Sequence, residues 1–202
     1  QSVGFFSQEV ELDLKQSMAQ FLDVANVLRA LRAIGNGSIK QRDFDIVGDN
    51  WHLQQTLTQQ LETLKLPTQL SIPLAHLSGG QLAILRLFKL LSQHYDLLIL
   101  DEPSNHLDIA ARTWLYSQIA NYSGQVLTVS HDQALLAKVD AILELNTLGI
   151  SHHSGNYTRF VVNKQLQVDA LDKQQASLKQ AVKQHTKKCE ENAQKARKRA
   201  TQ

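Results

Sequence analysis

The chain has 202 residues, of which 43% are hydrophobic, and a single cysteine, Cys189. One cysteine excludes an internal disulfide framework and is typical of a reducing compartment. No run approaches the roughly 20 apolar residues that a membrane-spanning helix needs, and no signal-like start is present. These features predict a cytoplasmic protein without membrane insertion.

The net charge of +2 is unevenly distributed. Residues 1–158 carry ten Lys or Arg against fifteen Asp or Glu, whereas residues 159–202 carry eleven against four. The basic segment has no Gly or Pro, and its apolar residues recur near helical spacing at Leu166, Leu171, Leu178 and Val182. We therefore predict a long basic helix with a narrow apolar seam from about residue 157.

Strands and helices alternate in the rest of the chain, which implies an α/β fold with a mainly parallel sheet. The Gly35-Asn-Gly37 sequence predicts a turn between helices. Apolar spacing at Leu53, Leu57, Leu61 and Leu64 predicts an amphipathic helix with a core face. The predicted order is a strand at 3–7, helices at about 15–34, 51–65 and 78–92, a strand at 97–101, a helix near 108–121, a strand at 125–130, a helix at 132–138 and a strand pair around 141–153.

An apolar run ends abruptly at Asp101 and Glu102, and Pro103 then forces the backbone out of the strand. Adjacent side chains on a strand point to opposite faces, so the two acids have different roles. At the carboxyl edge of a parallel sheet, Asp101 would bind Mg²⁺ and Glu102 would polarise the water that attacks a terminal phosphate. Taken in isolation, two solvated acids at a turn are the commoner arrangement.

Two further segments bear on this choice. Ser78-Gly79-Gly80-Gln81 precedes an apolar helical run, so backbone amides, a hydroxyl and the positive end of a helix could meet a phosphate. The alternative is a simple turn before a core helix. A strand at 125–130 leads to His131, whose neutral imidazole could hydrogen-bond a phosphate or the attacking water, or could be merely structural.

In this order and spacing, the segments resemble the ATP-binding cassette ATPases, with a signature loop at 77–81, a Walker B strand at 97–102, a D-loop at 104–108 and a switch histidine at 131. The resemblance implies ATP and Mg²⁺ as cofactors. It implies that Glu102 and His131 are catalytic, that Asp101 and Gln8 serve the metal, and that the nucleotide-binding residues are Gln8, Ser78, Gly79, Gly80, Gln81 and Asp108.

The resemblance narrows to the ABC-F proteins, which are soluble tandem cassettes. Asn105 and His106 in the D-loop, the segment 154–160 and the helical insertion at 43–66 are similar to that group. The expected fold is a partial P-loop NTPase at 1–156, with a helical subdomain at about 12–92 and a linker arm at 157–202. The expected partners are a second cassette, whose ATP the signature loop would contact, and the ribosome with tRNA.

No Gly-x-x-x-x-Gly-Lys-Ser/Thr motif is present. The segment from Gly35 to Lys40 does not replace it, because its lysine is displaced from the position that the motif requires. We expect the chain to begin after the P-loop half of a first cassette and to stop inside the linker, so that it should not hydrolyse ATP alone. Leu82, Ile84 and Gln133 stand where the family usually has basic residues. These departures do not affect the two acids, Asp101 and Glu102.

The densest positive charge lies in the arm, and its members are Lys187, Lys188, Lys195, Arg197, Lys198 and Arg199. Such a cluster suits RNA phosphates, although a solvated helix face is an equal alternative. His152 and His153 lack partners at metal-ligand spacing and are predicted to be a surface pair. Three functions remain open: an ABC-F ATPase acting on the ribosome, the ATPase subunit of a membrane transporter, and a non-hydrolysing ribosome-binding module.

Overall fold

The computed structural model describes residues 2–7, 11–147 and 149–199, with the backbone alone for residue 185 and residues 187–199. The chain divides into two compact units, and the boundary along the sequence falls between Leu135 and Leu136. The second unit contains both the strand pair and the long helix. The division into a cassette part at 1–156 and an arm at 157–202 stays a prediction.

A three-stranded parallel sheet forms the centre of the first unit. Its strands are β1 (Val3–Phe6), β2 (Leu97–Asp101) and β3 (Gln125–Val129), in the order β1-β2-β3. The register places Asp101 beside Val129, so the carboxyl ends of β2 and β3 meet at one edge. The predicted α/β class is confirmed.

Helices make up most of the rest of the first unit, and most lie where the sequence predicts them. The expected single helix at 15–34 is instead two helices, because the chain turns at Asp23 in the left-handed region with φ 62°. A short helix over residues 41–47 was not predicted. The observed helices are α1 (Met18–Phe21), α2 (Ala25–Gly35), α3 (Gln41–Val47), α4 (Leu53–Thr63), a 3-10 turn (Leu74–His76), α5 (Gly79–Leu91), α6 (Ile109–Ala120) and α7 (Gln133–Leu136).

The hydrophobic core lies on one face of the sheet. Leu98 and Leu100 of β2 are fully buried in one cluster with Leu85 of α5 and Leu115 of α6. Leu57, Leu61 and Leu64 are buried in the same cluster, which confirms the core face predicted for that helix. The other face of the sheet is open, and Asp101 alternates onto it with Ile99.

The second unit pairs a β-hairpin with one long helix. Strands β4 (Ala141–Asn146) and β5 (Gly149–Ser154) are antiparallel, and α8 (Tyr157–Arg199) has 43 residues, a length of about 65 Å. The seam residues Leu166, Leu171, Leu178 and Val182 are exposed. None of the helices in the described ranges combines the length and apolar character that a membrane crossing requires.

An acid on the hairpin joins it to the start of the arm. Glu144 contacts the Lys164 ammonium and lies 3.3 Å from Nε2 of His153, whose ring packs edge-on against Phe160 at 4.9 Å. Hydrogen bonding and charge from Lys164, helped by His153, hold the pKa of Glu144 below its usual range. His153 therefore has an acid partner, and its prediction as part of a surface pair is wrong.

Candidate active site

Glu102 and His131 meet at the carboxyl edge of the sheet. The Glu102 amide donates to the Val129 carbonyl at 2.8 Å, which extends the pairing of β2 and β3 by one residue. Nε2 of His131 lies 3.4 Å from Oε1 of Glu102, and the His131 amide donates to Oε2 at 3.4 Å. The Glu102 side chain is only 15% exposed, whereas that of His131 is 99% exposed. Sequence reasoning assigned both residues to one site, and the structure brings them together.

The backbone around Glu102 is unusual. Glu102 and His106 both have positive φ, 45° and 62°, on either side of the buried Pro103. Side chains with a Cβ avoid this region, and each such residue costs on the order of 1–3 kcal/mol unless its surroundings impose the conformation. Strained residues of this kind concentrate at functional sites, so the observation supports a role for this loop beyond packing.

Asp101 lies one residue earlier and on the open face of the sheet. The described residues include no group of three or more His, Cys, Asp or Glu that could hold a metal without other ligands. Magnesium usually binds one or two carboxylates and completes its octahedron with water and phosphate oxygens. A single carboxylate at a strand edge fits that mode of binding, and it does not fit an all-protein metal cage.

The signature loop forms a capping box at the start of α5. The Ser78 hydroxyl accepts from the Gln81 amide at 3.2 Å, and the Gln81 side chain accepts from the Ser78 amide at 3.0 Å. A hydroxyl that accepts a hydrogen bond still has its own proton to donate. Ser78 can therefore cap the helix and donate to a phosphate at the same time, while the side-chain oxygen of Gln81 is occupied within the loop.

The two glycines of this loop have different surroundings. A Cβ added to Gly79 would meet nothing within 4 Å, whereas one on Gly80 would lie 3.0 Å from the His106 carbonyl oxygen. Gly80 thus lets α5 approach the loop that follows Glu102. No contact among the described residues requires a glycine at position 79, and the open space there lets an external anion approach the backbone closely.

Asp108 caps helix α6. Its Oδ1 accepts from the Ala111 amide at 2.8 Å, and its Oδ2 lies 3.8 Å from the Lys65 ammonium in an exposed pair. This explains the residue locally as an N-cap and leaves its predicted nucleotide role a prediction.

Several predicted site residues cannot be placed. Gln8 lies outside the described residues. The backbones of Lys187, Lys188, Lys195, Arg197, Lys198 and Arg199 belong to α8, but their side chains lie outside the described part of the structure.

Sequence reasoning missed a polar cluster behind Glu102 and His131. Its centre is the Asp132 carboxylate, which contacts Tyr116, Arg112 and Ser104. Ser104 begins the predicted D-loop two residues after Glu102, and Asp132 directly follows His131, so these positions were a usable signal. Tyr116 lies in mid-helix and gives no such signal, because its partner is 16 residues away.

A family model described as that of the ABC transporter matches residues 1–105, more than half of the chain. The chain belongs to the ATP-binding cassette family. This is a family of ATPases that bind ATP with Mg²⁺, and within it the chain is of the ABC-F type that its motifs indicated.

Curated relatives of this cassette protein match about half of its length. The energy-dependent translational throttle protein EttA of Mycobacterium tuberculosis is 39% identical over 117 residues, 57% of this chain and 21% of that protein. The putative ATP-binding protein YdiF of Bacillus subtilis is 46% identical over 94 residues, 46% of this chain and 15% of that protein. The chain thus spans about a fifth or less of the length of these relatives.

Solved cassettes share the fold. The ATP-binding subunit of an ABC transporter aligns with a TM-score of 0.52 at 17% identity, covering 76% of this chain and 59% of that one. A dimeric cassette in a post-hydrolysis state bound to ADP and Pi aligns with a TM-score of 0.53 at 15% identity, covering 76% and 62%. At these identities the likeness shows the fold of this cassette protein alone.

Proposed function

We propose that this chain supplies one half of the ATP-hydrolysing machinery of an ABC-F protein that acts on the ribosome. The observation that carries the proposal is the contact of Glu102 with His131 at the sheet edge, 3.4 Å apart. The partly buried carboxylate and the exposed imidazole have different surroundings although they touch, so they are suited to different tasks.

Glu102 is the general base of the proposed reaction. Its carboxylate is held from behind by the His131 amide and is only 15% exposed, so it can accept a proton from one water at a defined place. His131 extends into solvent from the same point. The single N–H of a neutral imidazole there can donate either to Glu102 or to a phosphate oxygen or the attacking water, so His131 can exchange one partner for the other.

The nucleotide and its metal would lie in front of these residues. ATP with bound Mg²⁺ would supply a phosphoryl group whose negative charge the metal partly neutralises. Asp101 offers a carboxylate at the end of β2 for that complex. Its position on the open face of the sheet separates it from the core.

The signature loop is suited to a phosphate from outside this chain. Helix α5 has 13 residues, the Ser78 hydroxyl keeps a proton to donate, and the backbone at Gly79 is open. Together with the positive end of the helix, these groups form an anion site. In a tandem cassette protein, we expect that site to contact ATP held mainly by the second cassette.

The ribosomal role rests on the arm and on a relative. Helix α8 reaches about 65 Å and lies in the segment that carries eleven cations against four acids. A relative 39% identical to this chain over 117 residues is named a translational throttle protein. We propose that the arm contacts ribosomal RNA through phosphates, without reading base sequence.

An ATP-trapping variant tests both halves of the proposal. In the complete gene product, Glu102→Gln should retain Mg-ATP and hydrolyse it slowly, so the variant should co-sediment with ribosomes in ATP and dissociate without it. Equal sedimentation with and without ATP would count against the ribosomal role, and copurification with a membrane permease would favour a transporter subunit.

A charge-matched pair of variants tests the arm. Alanine at Lys195, Arg197, Lys198 and Arg199 removes four cations from the arm, and alanine at Arg29, Arg32, Lys40 and Arg42 removes four from the helical subdomain at about 12–92. The arm variant should lose ribosome affinity at low salt and show a shallower salt dependence than the subdomain variant. The same loss in both would assign the effect to net charge.

A further inference from the structure

The carboxylate of Asp132 is held by three separate segments. Oδ1 accepts from the amides of Ala134 at 3.0 Å and Leu135 at 3.4 Å, and Oδ2 accepts from the Tyr116 hydroxyl on α6. Ser104 donates to the same carboxylate from the loop after Glu102 and is itself 3% exposed. Because the Asp132 side chain is only 11% exposed, water competes little for these bonds.

The groups around this carboxylate lie next to predicted site residues. Asp132 follows His131 directly, and Ser104 stands two residues after Glu102. One hydrogen-bonded carboxylate therefore connects the segments that carry the acid and the histidine. None of the hydrogen bonds described for Asp132 or Tyr116 reaches the Glu102 carboxylate. Their influence on Glu102 would therefore be indirect.

A cation extends the connection to the D-loop. The Arg112 guanidinium lies 3.8 Å from Oδ2 of Asp132, and its Nε donates to the Leu107 carbonyl at 3.1 Å. Leu107 immediately precedes the cap residue Asp108. The loop at 104–108 is thus tied to the histidine segment at both of its ends, by Ser104 and by Arg112.

The protonation states of the partners agree with this arrangement. Burial opposes ionisation of Asp132, but the hydrogen bonds from Tyr116, Leu135, Ala134 and Ser104 outweigh it and hold its pKa below the usual range. Burial and the Asp132 contact raise the pKa of Tyr116 to about 12. Around neutral pH the carboxylate is ionised and the phenol keeps the proton that it donates.

We propose that Tyr116, acting through Asp132, is a positioning residue that holds His131 and Glu102 in register for hydrolysis. The inference rests on the proposed function. The Tyr116 hydroxyl fixes Oδ2 from α6, the amides fix Oδ1 from the turn, and Ser104 fixes the loop after Glu102. Removal of the Tyr116 hydroxyl leaves the Glu102 and His131 side chains present but makes their relative positions less well defined.

The chain offers a matched control for removing that hydroxyl. Tyr122 also uses its hydroxyl within the first unit, accepting from the Tyr95 amide at 2.9 Å, and its hydrogen bonds to described residues reach Tyr95 and Gln93, neither of which is a site residue. Tyr116→Phe in the complete gene product should lower kcat about tenfold with KM for ATP within about twofold, because positioning errors act mainly on the chemical step. Tyr122→Phe should leave both constants unchanged.

A double-mutant cycle separates positioning from general damage. If Tyr116 acts by positioning Glu102, its effect should disappear once Glu102 is replaced. Adding Tyr116→Phe to Glu102→Gln should then change the residual rate of ATP hydrolysis by less than about twofold. A further tenfold loss in the Glu102→Gln background would overturn the proposal, and so would an equal loss of kcat in Tyr122→Phe.

Hydrogen exchange gives a readout that does not need activity. In the complete gene product, Tyr116→Phe and Asp132→Asn should each speed exchange of the amides in residues 131–136 at least about fivefold, with Tyr122→Phe unchanged there. No change in that segment would overturn the proposal. If wild type shows no ATP hydrolysis, the proposed function fails, and the exchange result still decides whether Tyr116 orders the histidine segment.

Discussion

The two neighbouring glycines of the signature loop provide a test in which one substitution has two different outcomes. Gly79→Ala adds a methyl group to open space, whereas Gly80→Ala places the same group 3.0 Å from the His106 carbonyl oxygen. Both residues begin helix α5, so the effect of alanine on helix propensity is similar for the two. A difference between them therefore reports on the surroundings.

The magnitudes follow from these distances. At position 80 the carbonyl must move by a few tenths of an ångström, and it belongs to a loop that already has two non-glycine residues at positive φ. Overpacking of this kind costs about 1–3 kcal/mol, while a surface substitution stays within about 0.5 kcal/mol. For a unit of this size, Gly80→Ala should lower the melting temperature by roughly 2–4 °C per kcal/mol, and Gly79→Ala should leave it unchanged.

The assay combines melting curves with ATP hydrolysis by the complete gene product. If an anion approaches Gly79, its alanine variant should lose hydrolysis on the order of tenfold at unchanged stability, because the methyl group obstructs the phosphate. Full activity in Gly79→Ala would refute the reasoning about open space. Equal melting temperatures for the two variants would refute the contact with His106.

Three further outcomes are expected. The pKa of Tyr116 is raised, so its contribution to stability is fully present below pH 10.0 and is lost as pH rises towards about 12; Tyr116→Phe should flatten the stability curve in that window, measured by urea unfolding. Lys89 lies 2.7 Å from an Asp23 oxygen and donates to the Phe21 carbonyl at 2.6 Å, so Lys89→Met should cost about 1–2 kcal/mol, and an unchanged unfolding midpoint would contradict this. Leu85 is fully buried, so Leu85→Ala should cost about 2–5 kcal/mol, whereas the exposed Leu166→Ala should stay within about 0.5 kcal/mol in the same unfolding assay.

Local patterns predicted the elements that carry the site. The strand at 97–101 was identified from an apolar run that ends in acids and proline, and the structure has the same bounds. The start of α5 was identified from Ser78 and the glycines, which form its cap. These features depend on neighbouring residues, so the sequence displays them directly.

Features that depend on distant contacts were not predicted. Periodicity gave one helix at 15–34, because it carries no information about a single left-handed residue such as Asp23. The contact of His153 with Glu144 joins two strands of a hairpin, and the spacing along the chain does not reveal it. Tyr116 was missed for the same reason, since only the folded chain brings it to Asp132.

The most direct test of the central claim is single-turnover phosphate release by the complete gene product carrying Glu102→Gln. Glu144→Gln is the matched control, because it makes the same chemical change in another glutamate that contacts a histidine, at 3.3 Å. The account predicts that Glu102→Gln binds Mg-ATP with near wild-type affinity and slows phosphate release by at least about a hundredfold, while Glu144→Gln stays near the wild-type rate. Wild-type release by Glu102→Gln would contradict the assignment of Glu102 as the residue that activates water.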